Sequence, residues 1–497
     1  MHRRAFFRAS LATAIAASVG PGRAFAAALP APGPLEAVTG TGGRVTLAGS
    51  ELADLRKALR GALLLPGQPG YEDARRVVNA SIDKRPALVV QPSGAADVRT
   101  AVDFARAHSL LLAVKCGGHS YSGKSTCDGG MQIDLSRYRG ARVDPVSRIA
   151  YVAGGSLLGD LDHEALAAGL VTTAGTVSHT GVGGLTLGGG FGRLARTHGL
   201  ALDNLVGVDI VTADGLLRHA SAGENPDLYW AVRGGGGNFG IVTGFEFRLH
   251  PMRRQVTGGD IVFPLSRARE LLAFYAEYTL GAPDHLYCDV VMVAPPGGKG
   301  GVFVLSVCHN GSDADADRDL APLRKLGKPI ADRIARVDYE VLQRSGDVTD
   351  PRNRGEYLKS GFANAFPPQL AAAMADGFEA DPARGTVALV QHAGGAVGRI
   401  AADATAFPHR RATHNLITSA SWGIGSTDPA PHMAYVRRYW ASLEKHTDGY
   451  YTNETSDEPQ RVVDDNYQGN IDRLMKIKGR YDPDNLFRLN ANIQPRA

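Results

Sequence analysis

The chain has 497 residues, 44% of them hydrophobic and 21% charged, which is more than one ordinary core holds and too balanced for a disordered or fibrous protein. Its formal charge is +4, but Arg3, Arg4, Arg8 and Arg23 lie within 26 leading residues that contain no acid, so the remainder is neutral and nothing points to nucleic acid or an anionic surface as a partner. Four cysteines, Cys116, Cys127, Cys288 and Cys308, are too few for a disulfide scaffold and lack metal-ligand spacing, so no metal is expected; Cys116 and Cys127 read equally as a bridge or as two buried thiols.

Residues 1–26 have the form of an export signal. Arg3-Arg4 precedes a short apolar run, Leu11 to Val19, and Ala24-Phe25-Ala26 fits a cleavage site. The run is too short for stable membrane insertion. Paired arginines before Phe6-Phe7 resemble the bacterial twin-arginine signal, which carries folded, often cofactor-loaded proteins to the periplasm or beyond; a general secretory signal with a chance arginine pair is the alternative. Residues 27–70 read as an extended lead-in with a short helix near Glu51 to Leu63.

The pattern then predicts a strand Ala87 to Gln91, a helix Asp97 to His108 and a strand Leu110 to Val114. This βαβ unit delivers the chain into Lys115-Cys116-Gly117-Gly118-His119-Ser120-Tyr121-Ser122-Gly123, where open α/β folds place ligands. Glycines 117 and 118 let a backbone approach a ligand closely, with one imidazole, His119, beside it. Taken alone, the loop fits a surface turn with a solvated histidine just as well.

Strands Gln132 to Leu135 and Arg148 to Gly155 and a helix Leu157 to Gly169 lead to a second glycine block, Thr173 to Gly192. Seven glycines between 181 and 192 argue against a helix or an ordinary strand there and for backbone held open to a ligand. A Gly-x-Gly-x-x-Gly dinucleotide fingerprint fits Gly181 to Gly188 only loosely, which weighs against a nicotinamide cofactor. The third block, Asn225 to Val242, is a helix, four glycines from Gly234 to Gly237, and a β-branched strand. Three such blocks imply one long ligand lying against backbone.

These blocks, with Tyr467-Gln468-Gly469-Asn470-Ile471-Asp472-Arg473-Leu474 and Tyr481-Asp482-Pro483-Asp484-Asn485-Leu486-Phe487-Arg488, resemble the berberine bridge enzyme-like oxidases of the vanillyl-alcohol oxidase and p-cresol methylhydroxylase flavoprotein superfamily. The resemblance implies an α+β protein: a two-part FAD-binding domain, 71–250 and 451–497, with an inserted substrate domain, 251–450, of antiparallel sheet backed by helices. In the second of these regions, runs at Gly301 to His309, Gly385 to His392 and Asn415 to Trp422 alternate with helices at Arg267 to Tyr278 and Pro431 to His446, and Phe407-Pro408-His409-Arg410 reads as structural.

It further implies FAD bound covalently through His119. Relatives carry a second link from a cysteine four residues before Gly-Val-Gly-Gly; here that position is Val177, so a monocovalent flavin is expected. Other cofactor contacts would come from Lys115, Gly117, Gly118, Ser120 and Gly123, from Gly175, Gly181, Gly184, Gly188 and Gly190, from Gly237, Gly240, Ile241 and Val242, and from Asn453. Thr180, where relatives control the approach of oxygen, is small, which favours an oxidase making hydrogen peroxide. The Tyr-x-Asn-Tyr segment whose last residue is the base in relatives reads Tyr451-Thr452-Asn453-Glu454, placing Glu454 as base with Tyr451 as the next candidate and Tyr121 as substrate-orienting. Glu454 also fits a solvated loop, His179 a merely hydrogen-bonded one, and Tyr357 a core position. Dehydrogenation to a quinone or protein acceptor and flavin binding without turnover are the competing functions; the substrate is a small molecule.

Overall fold

Two small sheets carry the glycine blocks. Strands Leu88–Gln91, Met131–Asp134 and Leu112–Lys115 are parallel, with Met131–Asp134 in the middle, and Ala62–Leu64 joins the outer edge antiparallel. Their residues are nearly all buried and mostly apolar, as expected of parallel strands covered on both faces, with Gln91, Gln132, Asp134 and Lys115 as buried polar exceptions. The expected βαβ unit is therefore split: Leu88–Gln91 and Leu112–Lys115 are not neighbours, because a third parallel strand slots between them. Helix Ala95–Ala107 packs Val98, Ala101, Val102 and Ala105 against this sheet, the spacing of one helix face. A five-stranded antiparallel sheet follows, in the order Leu217–Ser221, Leu205–Val211, Ile241–Arg248, Ile149–Ala153, Ala141–Asp144.

The structure is a computed structural model that describes residues 32–297, 300–347, 352–425, 428–456 and 458–496. The segment 1–26 read as an export signal lies outside the described residues. Within the lead-in, a hairpin of Leu35–Val38 and Arg44–Leu47 precedes a helix that ends at Ala58, earlier than the pattern implied. Ala62–Leu64 is instead the strand of the first sheet, and Gly61 lets it lie close to Gln91, whose carbonyl oxygen a Cβ would meet at 2.0 Å. No helix among the described residues is long and apolar enough to cross a membrane.

The central region is an eight-stranded antiparallel sheet. Its main order is Ala331–Asp332, Gln255–Pro264, Val302–His309, Leu286–Ala294, Gly385–His392, His414–Gly423, Arg354–Ala363. Helices Ala268–Leu280, Asp313–Arg324, Pro368–Gly377 and Ala430–Leu443 pack on one face with Leu271, Tyr275, Leu320, Leu370, Tyr435 and Trp440 in a common core. The other face looks toward the glycine blocks. The chain then returns: helix Ile471–Tyr481 buries Leu474, Ile477 and Tyr481 in the core of the five-stranded sheet.

One buried lysine ties that return to the third glycine block. Lys478 Nζ donates to the Asn238 carbonyl at 2.7 Å and pairs with Asp482 at 2.6 Å, and Asp482 in turn accepts from the amides of Leu486 and Phe487. Asn238 donates to the Gly235 and Ala491 carbonyls. The Tyr-Asp-Pro-Asp-Asn-Leu-Phe-Arg motif thus clamps the glycines from below.

Candidate active site

The glycine blocks line one cavity of about 320 Å³, within the range of small-molecule sites. Residues 116–122, 175–188, 235–245, 451–455 and 487–491 contribute, so a ligand filling it is long and touches backbone in several places. Gly117 and Gly181 pack on each other; a Cβ on Gly117 would meet the Gly181 nitrogen at 2.3 Å. Gly184, also on the wall, has nothing within 4 Å of a Cβ position, and a side chain there would occupy the cavity itself. A cradle of this shape suits an extended dinucleotide with a planar head.

The second block holds a difference from expectation. Val182–Gly188 is a seven-residue helix despite its glycines. Propensity loses here to packing: a Cβ on Gly188 would strike Asn453 at 2.3 Å, and one on Gly190 would meet Ala201 at 2.4 Å with a φ of +90°. The glycines are where neighbouring segments touch, and burial supplies what propensity lacks. Asn453 donates to the Leu185 carbonyl at 3.0 Å and to Tyr451 Oη at 2.9 Å, and the Gly190 amide also donates to Tyr451 Oη at 2.7 Å. Tyr451 Oη thus accepts two hydrogen bonds that tie it to the second glycine block, and burial pushes its pKa up.

Most residues singled out from the sequence meet in this cavity. His119, Gly117, Gly118, Ser120 and Tyr121 line it, with Gly175, Val177, Thr180, Gly181, Gly184 and Gly188, then Gly237, Gly240, Ile241 and Val242, and finally Tyr451, Asn453 and Glu454. Three do not. Lys115 is buried and turns away, its ammonium bound to the carbonyls of Ala74 and Arg76 and facing Asp134 at 3.4 Å. Gly123 serves a turn at φ +66° against Ile82, and Gly190 serves the contact just described. All four cysteines are free; burial pushes the Cys116 thiol up to about 11, and its Sγ lies 3.5 Å from the Ser156 carbonyl.

His119 Nε2 lies 2.8 Å from His179 Nδ1, and its Nδ1 faces Thr180 Oγ1 at 3.5 Å. Burial and the neighbouring His179 push the His119 pKa down to about 4, so the imidazole is neutral near pH 7.

Across the cavity stands the Glu454 carboxyl, and two further carboxyls that do not line the cavity lie on the antiparallel sheet. Glu454 Oε2 accepts from Asn415 Nδ2 at 2.9 Å, and the same amide donates to Gln391 Oε1 at 2.7 Å. Burial pushes Glu454 up to about 7, against the Asn415 hydrogen bond and with help from the charge of Asp289. Asp289, also pushed by burial to about 7, holds Tyr287 Oη and the His392 amide. Glu356 is the third, raised to about 7 by burial against a hydrogen bond from Ser419. Asn79 bridges the backbones of Glu356 and Tyr121, and the Tyr121 phenol is raised first by Glu356, then by burial and Glu454.

Asp289, Glu356, Gln391 and Asn415 escaped the reading of the sequence. No local motif marks them; only the strand register, Gln391 opposite Asn415, aligns them on one face. Tyr357, the neighbour of Glu356, points to the opposite face and is buried under the helices. Elsewhere His285 and His309 both bond Asp319 Oδ2, at 3.0 and 3.1 Å; the Gly311 amide donates to His309 Nδ1, leaving Nε2 as a donor, so this is a hydrogen-bonded cluster.

Comparison with known proteins agrees with this geometry. Residues 86–221 match an FAD binding domain and residues 450–494 a berberine and berberine-like domain. The chain is 31% identical over 450 residues to (R)-6-hydroxynicotine oxidase of Paenarthrobacter nicotinovorans, covering 88% of this chain and 97% of that protein. It belongs to the berberine bridge enzyme-like FAD oxidases.

This flavoprotein also superposes on the crystal structure of 6-hydroxy-D-nicotine oxidase from Arthrobacter nicotinovorans with a TM-score of 0.81 at 29% identity, covering 88% of this chain and 98% of the other. Glucooligosaccharide oxidase from Acremonium strictum, described as carrying a 6-S-cysteinyl, 8α-N1-histidyl FAD, superposes with a TM-score of 0.80 at 25% identity over 90% of this chain and 99% of its own. The flavoprotein is thus an FAD-linked oxidoreductase whose relatives act on small molecules as different as nicotine derivatives and oligosaccharides.

Proposed function

We propose that this protein is an oxidase holding FAD by a single covalent bond from His119, with Glu454 as the general base toward a substrate bearing a CH–OH or CH–NH group. Bound FAD supplies the two-electron acceptor, reoxidised by dioxygen to give hydrogen peroxide. His119 lines the cavity as a neutral imidazole, and Val177 occupies the place of a second, thiol ligand, which supports one bond and not two. Thr180 lines the cavity beside His119 with a small side chain, which supports reaction with oxygen.

The observation that carries the reading is Glu454: a half-buried carboxyl on the cavity wall, oriented by Asn415, with its pKa near the working range of a base. Ionised, it takes the proton from the substrate hydroxyl or amine while Tyr121 orients the substrate. The test is to purify the protein, ask whether its flavin survives acid precipitation, and screen alcohols, sugars and amines for peroxide release. His119→Ala should release its flavin into acid; a variant that kept it would place the tether elsewhere, and reduction by substrate without peroxide would favour a quinone or protein acceptor. The leading segment supports export in the folded state, which fractionation of producing cells would test.

A further inference from the structure

His119 has two ring nitrogens, and their surroundings differ. Nε2 is held at 2.8 Å by His179 Nδ1, whereas Nδ1 faces the Thr180 hydroxyl at 3.5 Å, and the His179 backbone also hydrogen-bonds the imidazole. His119 lines the cavity and His179 does not, so the second imidazole acts from outside the ligand space. Its loop is fixed: the Ser178 amide and hydroxyl both donate to Asp347, at 2.7 and 2.5 Å, and Gln343 donates to the Gly175 carbonyl at 2.9 Å. The two rings sit 4.8 Å apart at 36°, close enough to bond and too tilted to stack.

We propose that His179 is a positioning residue that accepts a hydrogen bond from His119 Nε2–H, fixing the tautomer that leaves Nδ1 as the nucleophile toward the flavin methyl group. This rests on the reading of His119 as the flavin tether. A neutral imidazole carries one proton, and which nitrogen holds it is set by the hydrogen bond made at the other. The low pKa of His119 keeps a second proton off at neutral pH. When Nδ1 forms its C–N bond, one methyl C–H bond and the Nε2–H bond are lost; two electrons pass through the flavin to dioxygen, which takes up two protons and leaves as hydrogen peroxide. His179 Nδ1 is placed to receive the Nε2 proton, after which the same hydrogen bond persists with its direction reversed.

Three variants test this in the flavin-loaded protein as purified. His179→Leu removes the acceptor, His179→Asn keeps an acceptor oxygen near the Nδ1 position, and His119→Ala removes the nucleophile. For each, total flavin, acid-stable flavin and thermal midpoint are measured, and the linked nitrogen is identified on the isolated flavin peptide. His179→Leu is expected to bind flavin but to keep at least about tenfold less in acid-stable form, as for loss of a proton acceptor, or to link through Nε2. His179→Asn should restore attachment through Nδ1. Full attachment through Nδ1 in a folded His179→Leu overturns the assignment, and so does an Nε2 linkage in the wild type. Acid-labile flavin in the wild type overturns the tether itself, a separate and distinguishable failure.

Discussion

The two walls of the cavity are made of different material. On the side of residues 116–122, 175–188 and 235–245 the surface is mostly backbone, and the imidazole that faces the cavity beside the glycines, His119, is held neutral. Facing it, the Glu454 carboxyl on the C-terminal loop lines the cavity, while Asp289 and Glu356 lie on the same face of the antiparallel sheet without lining it; all three are shifted upward by burial. One wall lets a ligand approach backbone closely; in the proposed function the other carries the proton chemistry. If that division holds, Glu454→Gln should slow flavin reduction by about 10²–10⁴-fold while flavin content stays unchanged. Rapid mixing with substrate under anaerobic conditions reads both quantities, and a parallel loss of flavin would break the separation.

The cofactor wall should fail in the opposite way. Lys478→Met leaves Asp482 buried without its ammonium, a loss of about 3–5 kcal/mol. The thermal midpoint and flavin content should both fall, because the clamp on Asn238 goes with it, while the flavin that remains is reduced at the wild-type rate.

Next in size is the response to pH. A base must be ionised, so kcat/KM should rise with pH and level off above about 7, changing about tenfold per unit on the acid side, with apparent values belonging to the coupled carboxyls together. Stability runs the other way. The ordinary values of Glu454, Glu356 and Asp289 are 4.5, 4.5 and 3.8, and the folded values are higher, so the folded state holds extra protons between. Stability is therefore greatest at the acid end of that window and declines as pH rises to about 7. Thermal midpoints across this range check the sign, and Glu454→Gln should flatten both curves.

The contrast also explains what could be read from the chain. Glycines 117, 181 and 237 announce the cofactor wall because backbone approach is a local property, written in short blocks. Glu454 was accessible because its segment, Tyr451-Thr452-Asn453-Glu454, resembles the Tyr-x-Asn-Tyr of relatives. Asp289, Glu356 and Asn415 are separated by up to 126 positions and meet only when antiparallel register and burial are known. The helix Val182–Gly188 was illegible for the converse reason: its glycines lower propensity, and the tertiary contacts that outweigh this are remote in sequence. Lys115 and Gly190 sit inside cofactor motifs yet serve neighbouring segments, a distinction that only packing reveals.

The finest test of the two-wall picture uses adjacent residues on one strand. Glu356 and Tyr357 lie on opposite faces of Arg354–Ala363, since successive side chains alternate. Tyr357 is buried with the helices and its hydroxyl accepts from Arg437 Nε at 3.2 Å, so Tyr357→Phe should cost about 1 kcal/mol of stability and leave reduction kinetics and their pH profile unchanged. Glu356→Gln removes the charge that contributes most to raising the Tyr121 phenol, so it should shift the pH profile and substrate affinity with little change in thermal midpoint. A kinetic effect from Tyr357→Phe as large as that from Glu356→Gln would show that the sheet transmits between its faces, and the division into a chemical face and a structural one would fall.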